Sequence, residues 1–500
     1  MLLSAAALFG AAPTAHAQCN AQWNLTGGNP GFNGPLTDLL QTTGDLFACG
    51  SFTTAGTATV RNVARWNGTA WQAVGALGSS AADVRVLAVM NNGNLIAGGR
   101  IFTPVLSNPA HVSVFNGSSW APLGSGPNGG SNVGVSALTV LPNGDVIAGG
   151  QFTNVGVDFI ANVARWNGSS WVAMGNSLGA VVESLATLSD GTVVAGGSFV
   201  TQVALGQTAN RLAVWGGGSW FRLGTGMNGT VMCLRALPDG GFLAGGGFTT
   251  ANGISAMGIV RYSGGVWSPL GAGLAGLVRD IVTLPNGDVV ASGSFQVVGN
   301  PSITNIARFD ATTSTWVAIA PSGFLPPVNA LALTPAGELA VGIDVTVGGA
   351  TSQSFARLVS GCPALATPYG AGCTGPGGPL SLTAAPLPWI GATSVLRATG
   401  FGPNSLGLAV VGIAPVNIPL ATIPGFENAG PTCVGLASPD VLLYFLIPNA
   451  GEVTWDFPIP NTPSLAGAVV FNQGVELEFG LSGYSFVGST NGLQFTVGVF

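Results

Sequence analysis

Only a few side chains in this sequence have the right type and spacing for chemistry. There are two histidines, His16 and His111. A zinc, copper or facial-triad iron site needs more than one imidazole or a set of thiolates. His111 stands alone at the start of a β segment and reads as a turn or surface residue. No Ser-His-Asp set is credible, because no carboxylate is placed to orient that histidine. P-loop, EF-hand and C-x-x-C patterns do not occur. The Gly-Gly pairs each end a β segment, whereas a phosphate cradle opens a helix. No metal or cofactor is therefore expected. Glycoside hydrolysis needs only two carboxylates. Five acids (Asp45, Asp145, Asp190, Asp239, Asp288) stand in turns, where Asp supports the turn itself. Glu183 and Asp280 stand elsewhere. With Arg85, Arg279 and Asn329 they stand at the starts of successive β segments. These five form the candidate ligand-binding group, for a polar ligand such as a sugar or a peptide. Polar strand ends meeting water is the structural alternative.

The segments that carry them repeat. Seven stretches share a Gly-x-x-x-Ala-x-Gly flavour, from Gly44, Gly93, Gly144, Gly191, Gly240, Gly287 and Gly337, at intervals of 49, 51, 47, 49, 47 and 50 residues. An aromatic, a turn and a Trp follow, as in ARWNGTAW ending at Trp71, and the Trp recurs at 120, 171, 220, 267 and 316. The third unit reads as strands over 135–141, 145–152, 162–167 and 170–174. Asn-Gly between alternating apolar residues is a strong hairpin signal. A four-stranded unit of about 50 residues, repeated, marks a β-propeller blade.

The first three strands occur seven times, but no Trp strand follows the seventh third strand, Ser354–Leu358. An orphan Trp strand, Ala21–Leu25, stands 48 residues before Trp71. The sequence thus predicts a seven-bladed β-propeller closed by its N-terminal strand. Cys19 and Cys362 fall at the turn positions where the other blades join these two strands covalently. A Cys19–Cys362 disulfide would replace the missing turn; the alternative is Cys362 with Cys373.

A second register concerns Arg65, Arg165, Arg261, Arg308 and Arg357, each one residue before the last aromatic or apolar residue of a third strand. The residue opening the second strand is a carboxylate in four of these blades: Asp45, Asp145, Asp288 and Glu338. Adjacent antiparallel strands should bring the two together, so Arg–carboxylate pairs are predicted in blades one, three, six and seven. Arg261 faces Gly241 and lacks such a partner in this reading.

The repeats resemble kelch-type propellers, and related repeats of secreted bacterial proteins and fungal cell-surface polarity markers. The resemblance covers about residues 20–360 and implies a fold more than a function. The galactose-oxidase chemistry of some kelch propellers needs two His and a Cys-modified Tyr, so it is excluded. Residues 361–379 read as a Gly/Pro-rich linker. About eight short alternating segments over 380–500 then predict a β-sandwich or jelly roll. That stretch looks like a C-terminal domain appended to secreted planctomycete proteins, on GAGC ending at Cys373, PTC ending at Cys433, IPNTPSLAG and STNGL. Cys373 and Cys433 are then expected to pair within it. Cys49 and Cys233, in apolar propeller strands, read as core.

Composition sets the outer bounds. Hydrophobic residues are 47% of the chain and charged ones 6%, with 79 glycines. Low charge with high apolar content excludes a disordered chain. All 13 basic residues are Arg, and the net charge of −6 lacks the basic footprint of a nucleic-acid binder. No 18-residue apolar run free of Pro and Gly reads as a membrane span. Residues 1–17 read as a signal peptide, with an apolar core over 2–12 and Ala15-His16-Ala17 as cleavage site, although a basic n-region is missing. The five Asn-x-Ser/Thr sites (Asn24, Asn67, Asn116, Asn167, Asn228) read as hairpin turns before glycan acceptors. The sequence therefore predicts a secreted or cell-surface monomer. Its expected role is non-catalytic binding of an extracellular protein or glycan. The alternative is a carbohydrate-active enzyme with Glu183 or Asp280 as acid/base at the channel mouth.

Overall fold

A computed structural model describes residues 22–24, 31–79, 82–101, 111–129, 133–319, 327–343, 355–359, 365–375, 378–385, 387–388, 392–422, 433–437, 442–459, 468–480 and 483–497. The predicted signal peptide, Cys19 and Cys362 lie outside them. The chain divides into two compact units, Trp23–Leu284 with Asp288–Leu358, and Val359–Phe500 with short segments from elsewhere.

The first unit is built from seven four-stranded antiparallel sheets. Blade three is Gly134–Val140, Val146–Gln151, Val163–Trp166 and Trp171–Ala173, paired in that order. The seventh sheet pairs Val328–Leu333, Leu339–Ile343 and Phe355–Val359, with Gln22–Asn24 as its outer strand. Among the described residues no sheet closes on itself; neighbouring sheets meet by packing. The seventh packs on the first, with Leu36 at Gly342 and Phe355 edge-on to Trp71 at 5.0 Å. Gln41 Nε2 also donates to the Thr334 carbonyl at 3.3 Å.

The double glycine that ends the second strand in blades two to five has two separate jobs. The first Gly faces the next blade: a Cβ on Gly149 would lie 2.6 Å from Val182 Cγ1, and one on Gly196 2.5 Å from Val231 Cγ1. The second Gly faces its own innermost strand, where a Cβ on Gly150 would lie 2.1 Å from the Gly134 carbonyl oxygen. Gly50, Gly99, Gly197, Gly246 and Gly293 repeat that close approach at 2.0–2.2 Å. In these six blades it lies beside a β-bulge, for example between Val135 and Ala137, and the innermost strand of blade seven carries the same bulge opposite Ile343. A bulge leaves one residue unpaired and re-aims its side chain.

Blades are also tied at their outer strands. The indole N–H groups of Trp120, Trp171, Trp220 and Trp316 donate to the carbonyls of Val74, Leu123, Met174 and Leu270, each in the preceding blade, at 2.5–2.9 Å. The predicted Arg–carboxylate pairs are present: Arg65–Asp45 at 2.7 Å, Arg165–Asp145 at 2.9 Å, Arg308–Asp288 at 3.6 Å and Arg357–Glu338 at 2.5 Å. Arg261 also has a carboxylate. Asp239, two residues before Gly241, meets it at 2.6 Å from within the turn. The Asn of the Asn-Gly turns earn their place through side-chain caps, as Asn167 Oδ1 accepts the N–H groups of Ser169 and Ser170.

His111 corrects an expectation. It is 1% exposed, not a surface residue, with Nδ1 3.1 Å from the Gly99 carbonyl. It precedes its third strand as Asn62 and Asn162 precede theirs, and those amides also bond neighbouring carbonyls. Burial pushes the imidazole pKa down to about 4. Cys49 and Cys233 are free and buried.

The second unit is a two-layer β structure. A six-stranded sheet, including Leu365–Tyr369, Gly492–Thr496, Val469–Gly480, Ser405–Gly412 and Leu442–Leu446, faces a sheet of Ser381–Ala385, Thr393–Thr399 and Glu452–Pro458. Leu396, Trp455 and Phe457 from one layer and Val411, Val470 and Phe495 from the other share one buried cluster. Two expectations change here. Residues 365–369, expected within the linker, form a strand paired with 492–496. Pro368 is tolerated there because the strand is at the sheet edge. Segments 466–471 and 475–481, expected as separate strands, form one continuous strand, with Gly474 in its interior. The Cys373–Cys433 disulfide is present, with Cα atoms 5.1 Å apart.

Candidate functional site

The bulges explain where the candidate residues stand. Each innermost strand carries a Val or Leu, the bulged residue, one further residue (small or acidic in all but blade two, which has Val86), and a Leu or Ile. The bulged residues are Thr37, Arg85, Ser136, Glu183, Met232, Arg279 and Asn329. Four of the five predicted residues therefore share one position in the repeat. They are brought to one end of the propeller, the end where second strands finish and third strands begin. Arg279 is exposed, and Arg85, Glu183 and Asn329 are half-buried. Arg85 Nε meets Asp83 at 2.8 Å. Burial raises the Glu183 pKa, and the nearby Arg85 charge opposes that shift.

Asp280 does not join them. It occupies the following position, and its carboxylate is taken up by backbone donors. It accepts the N–H of Ile281 and, from the next blade, that of Leu331, both at 2.7 Å. Asp38 and Ser184 at the same position do likewise, accepting the N–H of Leu87 at 2.8 Å and of Leu234 at 2.9 Å. These three side chains tie blade one to two, four to five and six to seven. Asp280 is raised to about 7, first by burial and also by the neighbouring Asp38 charge, with Arg235 acting the other way. Asp38 is raised too, chiefly by burial.

Reading for charge alone missed Ser136, Met232 and the latch residues Asp38 and Ser184. The signal that finds them is the repeated Val-x-x-Leu spacing, which separates the bulged residue from the one beside it. Among the described residues, no group of three or more His, Cys, Asp or Glu is placed to hold a metal ion. No described helix is long and apolar enough to cross a membrane.

The ends of the propeller differ in their use of arginine. At the end where first strands turn into second strands, Arg65, Arg165, Arg261, Arg308 and Arg357 each meet a carboxylate. At the bulge end, Arg85 meets Asp83 at 2.8 Å. Arg61 and Arg211 bond the carbonyls of Gly78 and Met227 there.

Such a repeat of four-stranded sheets, with its side chains collected at one end, defines an all-β protein of propeller fold. No protein-family model and no curated protein matches the chain. Solved structures similar to it include the WD40 β-propeller domain of Doa1, at 14% identity and TM-score 0.43, covering 67% of this chain and 96% of that one. Another is the extracellular domain of a putative hybrid two-component system from B. thetaiotaomicron, at 9% identity and TM-score 0.41, covering 93% and 56%. A third is an ancestral GH74 enzyme, at 14% identity and TM-score 0.42, covering 92% and 64%.

Proposed function

We propose that this is a secreted or cell-surface protein that binds its ligand without catalysis, using the bulge end of a kelch-like, seven-bladed propeller as the platform. The observation that carries this reading is the placement of Arg85, Glu183, Arg279 and Asn329 at one repeat position, on one end. In a chain with 6% charged residues, the arginines named at the other end are each paired with a carboxylate of their own blade. Those at the bulges are presented around the channel mouth. Bulges are a means of re-aiming side chains next to functional sites.

The test is a glycan array and an extracellular-protein pull-down with wild type and an Arg279→Ala/Glu183→Gln double variant. Loss of captured ligand with an unchanged melting temperature supports the reading. A second reading, glycoside hydrolysis with Glu183 as acid, draws on its raised pKa. It lacks a partner, since both Asp280 oxygens are engaged by backbone N–H groups. Hydrolase turnover abolished by Glu183→Gln would establish that second reading instead.

A further inference from the structure

The second unit carries a bulge of its own, in the strand pair Pro415–Pro419 and Val434–Ala437. Pro415 pairs with Ala437 and Ile418 with Gly435, so Val416 and Asn417 both stand opposite Leu436. The backbone of Leu436 is engaged elsewhere. Its N–H donates to Gln473 Oε1 at 2.7 Å, and its carbonyl accepts the Tyr369 hydroxyl at 2.6 Å. The bulge therefore leaves the backbone amides of Val416 and Asn417 outside the ladder. Asn417 is exposed, and its side chain has no hydrogen-bond partner among the described residues. A groove of about 580 Å³ lies at this bulge, lined by Val416, Asn417, Leu436 and the Tyr369 ring, and every described residue lining it is uncharged. The ring is fixed in place. Its hydroxyl is held by Leu436, Phe471 stands edge-on to it at 5.6 Å, and one ring face rests on Gly492, where a Cβ would lie 2.3–2.8 Å from Cζ, Cε1 and Cε2.

From this juxtaposition of a fixed aromatic ring and unengaged amides we infer that the groove binds a neutral saccharide. The inference does not rest on the reading of the propeller above. Charge supplies the first argument: a charged ligand would find no opposite charge in the lining and would lose solvation without compensation. Hydrogen bonding supplies the second. Every sugar hydroxyl both donates and accepts, and the bulge offers N–H donors and carbonyl acceptors together, from two backbone amides and the Asn417 side chain. The ring supplies the third, as an apolar surface for the C–H face of a sugar, already immobilised before the ligand arrives. The groove volume lies within the range of about 300–1,000 Å³ usual for small-ligand sites. A proline-rich peptide suits the groove less well. Such peptides dock on grooves lined by several aromatic rings, whereas Tyr369 is the one aromatic residue among the described lining and its hydroxyl is already given to Leu436.

The experiment measures binding of the full chain, by calorimetry and saturation-transfer NMR, to cello-, manno- and xylo-oligosaccharides, to an oligogalacturonate and to a proline-rich peptide. Variants are Asn417→Ala, Tyr369→Phe and Tyr369→Leu, with the Arg279→Ala/Glu183→Gln double variant of the propeller as control. Expected is saturable binding of at least one neutral oligosaccharide. It should be indifferent to salt, and to pH between about 5 and 8, because the lining is uncharged and burial holds the Tyr369 hydroxyl neutral by raising its pKa to about 12. Asn417→Ala should weaken it about threefold to tenfold, as for one neutral hydrogen bond. Tyr369→Leu should weaken it at least as much, while Tyr369→Phe, which keeps the ring, and the propeller variant should retain it. Melting temperatures show whether Tyr369→Leu still folds; if it does not, the exposed Asn417→Ala carries the test. No binding of any neutral oligosaccharide overturns the inference. Binding that the propeller variant abolishes and Asn417→Ala spares also overturns it, and moves the sugar to the propeller. Tighter, salt-sensitive binding of the oligogalacturonate overturns the neutral assignment, and peptide binding lost in Asn417→Ala overturns the saccharide assignment.

Discussion

Asp280 in blade six accepts the backbone N–H of Leu331 in blade seven at 2.7 Å, across 51 positions of sequence. An innermost strand has no further strand to satisfy its outer edge, so this donor is met by a side chain from the neighbouring blade. Asp38 and Ser184 solve the same problem, each accepting from a donor one repeat away, the N–H groups of Leu87 and Leu234.

The first prediction concerns pH. The Asp280 carboxyl is raised from 3.8 to about 7 in the fold, mainly by burial. A carboxyl whose folded pKa exceeds its unfolded one binds more protons when folded. Its contribution to stability is full below about pH 4 and is lost as pH rises through about 7. Asp280→Asn removes that titration. Melting curves from pH 4 to 8 should show wild type losing stability over this window relative to the variant. Parallel curves would sink the assignment.

A second prediction ranks two ion pairs. Arg357–Glu338 has side chains 16% and 15% exposed, while those of Arg261–Asp239 are 51% and 37% exposed. Exposed pairs contribute roughly 0–1 kcal/mol, whereas removing one partner of a buried pair costs about 3–5 kcal/mol. Glu338→Gln should therefore cost about 2 kcal/mol or more, below the fully buried figure because the pair is partly solvated. Asp239→Asn should cost under about 1 kcal/mol. Urea unfolding of both variants checks the order. Asp239 is held down to about 2 by Ser263, Arg261 and the Gly241 N–H. Its small contribution is present above about pH 4 and fades as pH falls toward 2, so the difference should shrink in acid.

How much of this could be read from sequence depends on whether a feature is periodic. The propeller strands and four Arg–carboxylate pairs follow from register, because a repeat makes each blade a comparison for the others. Arg261 looked unpaired only because its acid, Asp239, had moved two positions into the turn, where one register column does not reach. Asp280 looked like a mouth residue because a bulge adds one residue and changes which way its neighbour faces. His111 looked exposed because polarity was weighed without its place in the repeat, where Asn62 and Asn162 are also buried. In the second unit nothing repeats. The strand at 365–369 was hidden by Pro368, and the 12-residue strand from Val469 by Gly474.

A third prediction separates the glycines of each pair. A Cβ on Gly150 would lie 2.1 Å from a backbone oxygen that the bulge fixes in place. On Gly149 the nearest atom is the side-chain Val182 Cγ1 at 2.6 Å, which a rotamer change or small shift can relieve. Gly44 has nothing within 4 Å. Alanine should therefore cost most at Gly150, about 3 kcal/mol or more given the 1–3 kcal/mol typical of overpacking. It should cost an intermediate amount at Gly149 and almost nothing at Gly44. Equal costs at Gly149 and Gly150 would refute the division of labour between them.

The fourth prediction concerns the seam where Gln22–Asn24 lies beside Phe355–Val359. In blades one to six a continuous turn joins the third strand to the outer one, but here the two strands come from opposite ends of the propeller sequence. Cys19 and Cys362 bracket these strands in sequence, and both lie outside the described residues. A disulfide between them would close a loop of more than 300 residues and reduce the entropy of the unfolded chain by about 6 kcal/mol in free-energy terms in the chain-entropy model. Non-reducing peptide mapping should find Cys19 joined to Cys362 alongside Cys373 joined to Cys433. Reduction should then lower the melting temperature of the Cys373→Ala/Cys433→Ala variant, whose remaining disulfide is at the seam. A Cys362–Cys373 peptide, or no effect of reduction on that variant, would leave the seam held by backbone pairing and packing alone.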